Sequence, residues 1–168
     1  MIFVTVGTHE QSFDRLLMEV DRLKLNNVIT EELIVQTGVS MYEMKSDCIA
    51  RPSFSYEDMK RYTKEARIVI THGGPSSFML AVEQGKVPIV VPRQADKKEH
   101  VNNHQMVFCD AVSKQYNNII VVKNISNLEK AITKYDAIAG KMKIHFQSHN
   151  AEFNAAFAEI VDGLMKEK

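Results

Sequence analysis

The chain has too few cysteines to be built on disulfides. Cys48 and Cys109 are its only two, far apart and in no CxxC pair, so both are expected as reduced, mostly buried thiols. There is no excess of either charge. Lys plus Arg number 21 and Asp plus Glu number 21, which removes any electrostatic case for nucleic acid or an anionic membrane as partner. No apolar run approaches the ~20 residues of a membrane span. Met1 to Val6 is apolar, but it is too short for a signal peptide and no basic region precedes it. The expectation is a cytoplasmic protein whose membrane contact, if any, runs through a surface or a partner. The missing tryptophan carries little weight.

With 168 residues the chain can bury one core. It shows no repeat, linker or low-complexity tract, so residues 1–168 read as a single domain. Short β-branched runs alternate with helical patterns. Ile2 to Val6 is a continuous run, as expected of a strand buried on both faces, and Gly7-Thr8 ends it. Phe13, Leu16, Leu17, Val20 and Leu23 then recur at helical spacing. Further strands are expected at Leu33–Val35, Asp47–Ala50, Arg67–Thr71, Val87–Val91 and Ile119–Val122. Capping boxes are read at Ser55/Asp58 and Ser126/Glu129, the second opening a helix to about Tyr135, Gly85 as a helix-ending glycine, and a helix from about Val101 to Val112. The tail from about 146 to 167 carries Phe153, Phe157, Ile160 and Leu164 on one face. Six strand candidates alternating with helices predict an α/β fold with a Rossmann-like, doubly wound parallel sheet.

Ligands of such sheets bind beyond the carboxyl ends of the strands, which singles out three segments. In Thr71-His72-Gly73-Gly74-Pro75-Ser76-Ser77 a strand runs into two glycines and then a proline at a plausible first helical position. Backbone N–H groups, a helix N-terminus and the hydroxyls of Ser76 and Ser77 suit a phosphate; a tight turn with serine capping is the plainer alternative. The segment lacks both GxGxxG and the P-loop, which disfavours a kinase, a GTPase or an ordinary dinucleotide enzyme. Gly7-Thr8-His9 lies at the same sheet edge, with Thr8 and His9 placed to meet a diphosphate or simply exposed. From Pro92-Arg93 to Glu99-His100-Val101-Asn102-Asn103-His104-Gln105 the chain concentrates donors and acceptors of the kind that read sugar hydroxyls, or forms a solvated helix start. His100 and His104 stand four apart, a metal-binding spacing if both lie on one helical face. A third ligand is missing, so no metal is expected.

Taken in order, the strand with His-Gly-Gly, the Gly-Lys-x-Pro-Ile-Val-Val-Pro run at Gly85–Pro92 and the Asn-His-Gln at Asn103–Gln105 resemble the C-terminal domain of glycosyltransferase family 28. That family includes the peptidoglycan and dolichol-linked N-acetylglucosaminyltransferases. Val4-Thr5-Val6-Gly7-Thr8 with Phe13-Asp14 is similar to the start of the short dolichol-pathway catalytic subunit. Val91-Pro92-Arg93 with Glu99 to Gln105 looks most like the bacterial polysaccharide relatives. The resemblance runs from Ile2 to about Val112; the tail matches only in length and helical character.

The resemblance implies one half of a two-domain GT-B glycosyltransferase. It implies a UDP diphosphate held by Gly7, Thr8, His72, Gly73, Gly74, Ser76 and Ser77, and a donor sugar reached by Arg93, Asn103, His104 and Gln105. It further implies inverting transfer of a hexose from a UDP-sugar to a lipid-diphosphate-linked saccharide in capsular or exopolysaccharide synthesis. The chemistry needs a base, for which His9, Glu99 and His100 are the candidates, and no metal cofactor. A membrane-anchored acceptor-binding subunit is the implied partner, placing the chain at the inner face of the plasma membrane. One departure stands out: Leu80 occupies the position where many members carry a ribose-gripping glutamate. The alternative is a non-catalytic, UDP-sugar-binding or activating subunit that anchors to a membrane-bound partner.

Overall fold

The computed structural model describes residues 1–142 and 150–166. Six strands form one sheet: β1 (Ile2–Thr5), β2 (Leu33–Gln36), β3 (Ile49–Arg51), β4 (Ile68–His72), β5 (Ile89–Val91) and β6 (Ile120–Val121). Their spatial order is β3-β2-β1-β4-β5-β6, and every pair is parallel. The order reverses between β1 and β4, the switch point at which such sheets open a crevice.

Successive strand residues point to opposite faces, and the core divides accordingly. Ile2, Val4, Leu33, Val35, Ile68, Ile70, Ile89 and Val91 share a cluster with α1 (Asp14–Leu25), α5 (Leu128–Thr133) and α6 (Tyr135–Ala139). Phe3, Ile34, Val69 and Val90 face α2 (Tyr56–Glu65), α3 (Pro75–Glu83) and α4 (His104–Tyr116). Both faces being covered, the central strands are apolar throughout, which is why they read as β-branched runs rather than alternations.

Local signals behave as their chemistry requires. The Ser55 hydroxyl accepts from the Asp58 N–H at 3.1 Å and caps α2. Pro75 is the first residue of α3, where its missing N–H costs nothing. Gly85 adopts φ +72° just past that helix, the left-handed conformation a C-terminal glycine supplies. Three readings are corrected. Ser126 does not cap a helix with Glu129; Asn124 accepts from the Ser126 N–H at the head of a short 3₁₀ turn, Ile125–Asn127, before α5. Helix α4 begins at His104 rather than Val101, because Asn102 and His100 spend their side chains on nearby backbone N–H groups, holding the preceding residues in turns. Tyr135 opens α6 rather than ending α5, and its hydroxyl donates to the Val87 carbonyl at 2.9 Å.

Helix α7 spans Asn150–Lys166; residues 146–149 and 167 of the expected tail helix lie outside the described residues. Phe153, Phe157, Ile160 and Leu164 are all exposed, from 56% to 66%. Among the described residues no helix is long and apolar enough to cross a membrane. Cys48 and Cys109 are free thiols. Burial pushes the Cys109 thiol up to about 12.

Candidate functional site

Three loops leave the carboxyl ends of β1, β4 and β5 and are locked together by buried polar side chains. Arg93 is the hub. It is 1% exposed and its guanidinium donates to four backbone carbonyls: Val6 (2.9 Å), Gln11 (2.7 Å), Ser12 (3.2 Å) and Glu99 (3.0 Å). The planar fork of arginine is what makes several carbonyls reachable at once. Its Cζ sits 4.7 Å from the Phe13 ring centroid, a cation–π contact. Burial lowers its pKa to about 10, so it stays charged at neutral pH. Gln105, 7% exposed, supplies the second brace: its Oε1 accepts from the N–H of both Gly73 and Arg93 at 3.0 Å. Glu99, 4% exposed, pairs with Arg15 at 2.7 and 2.8 Å and accepts from the Gln94 N–H.

His72 ends β4 at the centre of this edge. Its Nδ1 accepts from the Gly74 N–H at 3.0 Å, and its Nε2 lies 3.0 Å from the Ser77 hydroxyl. A Cβ built on Gly7 would fall 2.3 Å from the imidazole, and one on Gly74 would fall 2.1 Å from it. The glycines therefore make room for the His72 ring, where the sequence suggested room for a ligand. Gly7 also needs its left-handed φ of +77°. Burial, then the nearby charge of Arg93 and the rings of His9 and His100, lower the His72 pKa to about 4.

His9 and His100 meet with ring centroids 4.7 Å apart, bringing the β1 and β5 loops into contact. His9 Nδ1 accepts from the Gln11 N–H at 3.2 Å, and His100 Nδ1 from the Asn102 N–H at 3.3 Å. Partial burial, then Arg93 and His100, lower the His9 pKa. Thr8 and Ser76 are exposed, and Ser77 is half-buried at the start of α3.

A sequence model of the glycosyltransferase family 28 C-terminal domain matches residues 1–163. The chain belongs to that family. No curated protein sequence matches it. Among solved structures it is similar to the glycotransferase of kitacinnamycin, with 14% identity and a TM-score of 0.59 over 83% of this chain and 36% of that one. It is also similar to the glycosyltransferase SnogD from Streptomyces nogalater, with 12% identity and a TM-score of 0.50 over 84% of this chain and 39% of that one. These likenesses show a shared Rossmann-like GT-B fold, and the chain spans well under half the length of either structure.

The family 28 domain brings together Gly7, His9, His72, Gly73, Gly74, Ser77, Arg93, Glu99, His100 and Gln105 at one edge, but not all as free ligand groups. Arg93 points its guanidinium into backbone carbonyls, and the Gln105 oxygen is spent on two N–H groups. The Glu99 carboxylate is held by Arg15, so it is a strut rather than a free base. His100 and His104 do not share a helical face: His100 lies in a turn, while His104 opens α4 and stacks on Phe108 with centroids 5.9 Å apart. Asn103, though exposed, spends its Oδ1 on the Ala95 N–H at 2.9 Å. Leu80 and Glu83 lie on the later turns of α3, Leu80 half-buried and Glu83 exposed.

Sequence reasoning missed a second polar knot, between α1 and the segment that leads into β3. Asp21 of α1 is 0% exposed. It accepts from the Tyr42 hydroxyl (2.7 Å), the Ser46 hydroxyl (2.6 Å) and the N–H groups of Lys45 and Ser46. Burial alone would raise its pKa, but hydrogen bonds from Ser46, Tyr42 and Lys45 outweigh that and hold it low. A signal was present. Asp21 falls four residues after Leu17, on the apolar stripe of α1, where a carboxylate is tolerated only with partners.

Proposed function

We propose that this family 28 domain is the donor-binding, catalytic subunit of an inverting hexosyltransferase. It takes a UDP-sugar and passes the hexose to a lipid-diphosphate-linked saccharide in capsular or exopolysaccharide synthesis. A membrane-anchored chain supplies the acceptor half and holds the pair at the inner face of the plasma membrane. The observation that carries the reading is the convergence of the β1, β4 and β5 loops at the start of α3, in a chain belonging to a glycosyltransferase family.

The donor's diphosphate lies at the start of α3. Of that first turn, Gly74 gives its N–H to His72, Pro75 has none, and the N–H groups of Ser77 and Phe78 return to the Gly74 carbonyl. The Ser76 N–H and the hydroxyls of Ser76 and Ser77 remain to meet the oxyanion, with the positive end of the helix behind them. As the glycosidic bond to the leaving UDP breaks, negative charge builds on the β-phosphate. Fixed donors and the buried Arg93 charge stabilise it without a metal cofactor. Because His9 Nδ1 accepts a backbone N–H, its neutral ring carries its proton on Nε2. That nitrogen is a donor to phosphate rather than an acceptor for the sugar's proton. With Glu99 ion-paired and His100 fixed in the same way as His9, the base that deprotonates the acceptor hydroxyl comes from the acceptor half. The exposed face of α7 is the docking handle for that half.

The test uses Ser76→Glu, which sets a carboxylate at an exposed position of the first turn. Calorimetry is expected to show UDP affinity falling at least about tenfold with the fold intact. Unchanged affinity refutes the donor site. Gly74→Val is unsuitable, since its Cβ would strike His72. Transfer by the reconstituted pair is expected to survive EDTA; loss restored by manganese refutes the metal-free reading. The second reading, a non-catalytic binding subunit, is favoured by none of the three candidate bases being free: Glu99 is ion-paired, and the Nδ1 atoms of His9 and His100 accept backbone N–H groups. It predicts that Ser76→Glu leaves transfer by the reconstituted pair unchanged.

A further inference from the structure

The hydrogen bonds around His72 have a definite polarity. A backbone N–H only donates, so the Gly74 N–H contact at 3.0 Å requires a bare Nδ1 on His72. The ring lies in the space that Gly7 and Gly74 leave open, where a Cβ on either would strike it. Its neighbours Arg93, His9 and His100 all disfavour a second proton there, outweighing the smaller opposite effect of the Gln105 side chain. The neutral ring therefore carries its one proton on Nε2, which faces the Ser77 hydroxyl at 3.0 Å. Ser77 must accept that bond. Its own proton cannot return to Nε2, and among the described residues the hydroxyl has no other hydrogen-bond partner.

We infer that His72 is a positioning residue that fixes the Ser77 hydroxyl as a donor toward an acceptor-only oxyanion at the start of α3. This rests on the donor-site reading above, in which that oxyanion is the diphosphate of the nucleotide sugar. The device compensates for a first turn that has lost two of its amides, one to proline and one to His72 itself. It also assigns the His-Gly-Gly sequence a different task from direct phosphate contact: the glycines hold the ring, the ring polarises the serine, and the serine meets the ligand. A free serine hydroxyl rotates and spends part of its time presenting a lone pair, which repels a phosphate oxygen; one bonded by His72 does not.

Calorimetry with UDP and with uridine, on the full chain, tests the relay. Ser77→Ala is expected to weaken UDP by about tenfold and to leave uridine, which has no phosphate, unchanged. His72→Asn keeps an oxygen near the Gly74 N–H, but its shorter amide N–H₂ no longer reaches Ser77, and it is expected to weaken UDP similarly. The double variant is expected to bind UDP no more weakly than Ser77→Ala alone, since His72 acts through Ser77. An additive loss, or unchanged UDP affinity in Ser77→Ala, overturns the relay while leaving the donor site standing. Failure of the wild-type chain to bind UDP overturns both. Should His72→Asn not fold, ¹⁵N NMR of the wild-type rings still decides: a neutral His72 protonated on Nε2 at pH 7 is expected, and protonation on Nδ1 overturns the inference.

Discussion

Two buried charges pin two sets of loops in this domain, and they are opposite in sign. Arg93 donates to four carbonyls at the edge where β1, β4 and β5 end. Asp21 takes the converse role on α1, collecting donors from Tyr42, Lys45 and Ser46. Each solves the same problem, that loop backbone withdrawn from water must find partners. The choice of sign has a further effect. The cation stands beside the histidines and, after burial, helps lower His9 and His72, keeping them neutral at an edge proposed to receive a diphosphate. The anion stands beside Tyr42 and Cys48 and contributes to raising both. Two equivalent pieces of loop carpentry thus leave two electrostatic surroundings, one suited to an anion and one not.

The comparison breaks first at Arg93. Arg93→Met keeps apolar bulk but strands four carbonyls, and urea unfolding is expected to show a loss of about 4 kcal/mol, with UDP binding abolished in whatever remains folded. Next is acid. The folded-state pKa of His72, about 4, lies below the ordinary imidazole value of 6.5, so between those pH values the unfolded chain binds more protons. Stability therefore falls as pH drops through that window, by about 3 kcal/mol for this group. His9, also lowered, adds to the same slope. His72→Asn is expected to flatten the profile between pH 6.5 and 4; an unaltered slope would show that His72 is not the group responsible.

Asp21→Asn comes third. It replaces an anion that faces only donors by an amide that presents one donor among them, at about 2 kcal/mol. UDP affinity is expected to stay nearly unchanged; a fall as deep as that of Arg93→Met would mean that the two knots are not separate. The smallest effect on stability belongs to α7. Deleting residues 150–168 removes Phe153, Phe157, Ile160 and Leu164, all exposed, and is expected to shift the unfolding free energy of the rest by under about 0.5 kcal/mol. Co-purification with the proposed membrane-anchored chain is expected to fail in the same truncation; unchanged association would place the interface elsewhere.

Element identity was legible because both signals involved are local. β-branched runs such as Ile2–Thr5 and Ile68–Ile70 mark strands covered on both faces. Ser55, Pro75 and Gly85 act within a turn of their own position, and the structure finds each in the expected role. That the three segments after β1, β4 and β5 meet at one edge was also legible, since a parallel sheet sends all its carboxyl ends to one side. The Ser126 cap failed because Asn124, two residues earlier, claimed its backbone N–H first. The early start read for α4 failed because side chains of His100 and Asn102 bonded their own neighbourhood.

By itself, then, the order of apolar runs and punctuating residues determined a parallel α/β domain and which loops share the carboxyl edge of its sheet. Tertiary structure alone decided what each polar side chain does there. Arg93, Glu99 and Gln105 were read as ligand or catalytic groups on the strength of the family resemblance and of their chemistry. Their partners turn out to be carbonyls, N–H groups and an arginine contributed from as far as 87 residues away in sequence. A hydrogen bond is satisfied by whatever the fold brings within 3 Å. That proximity belongs to the packed sheet edge and to no short stretch of chain, so the tautomer of His72 and the direction of the Ser77 hydroxyl exist only once β1, β4 and α3 have met.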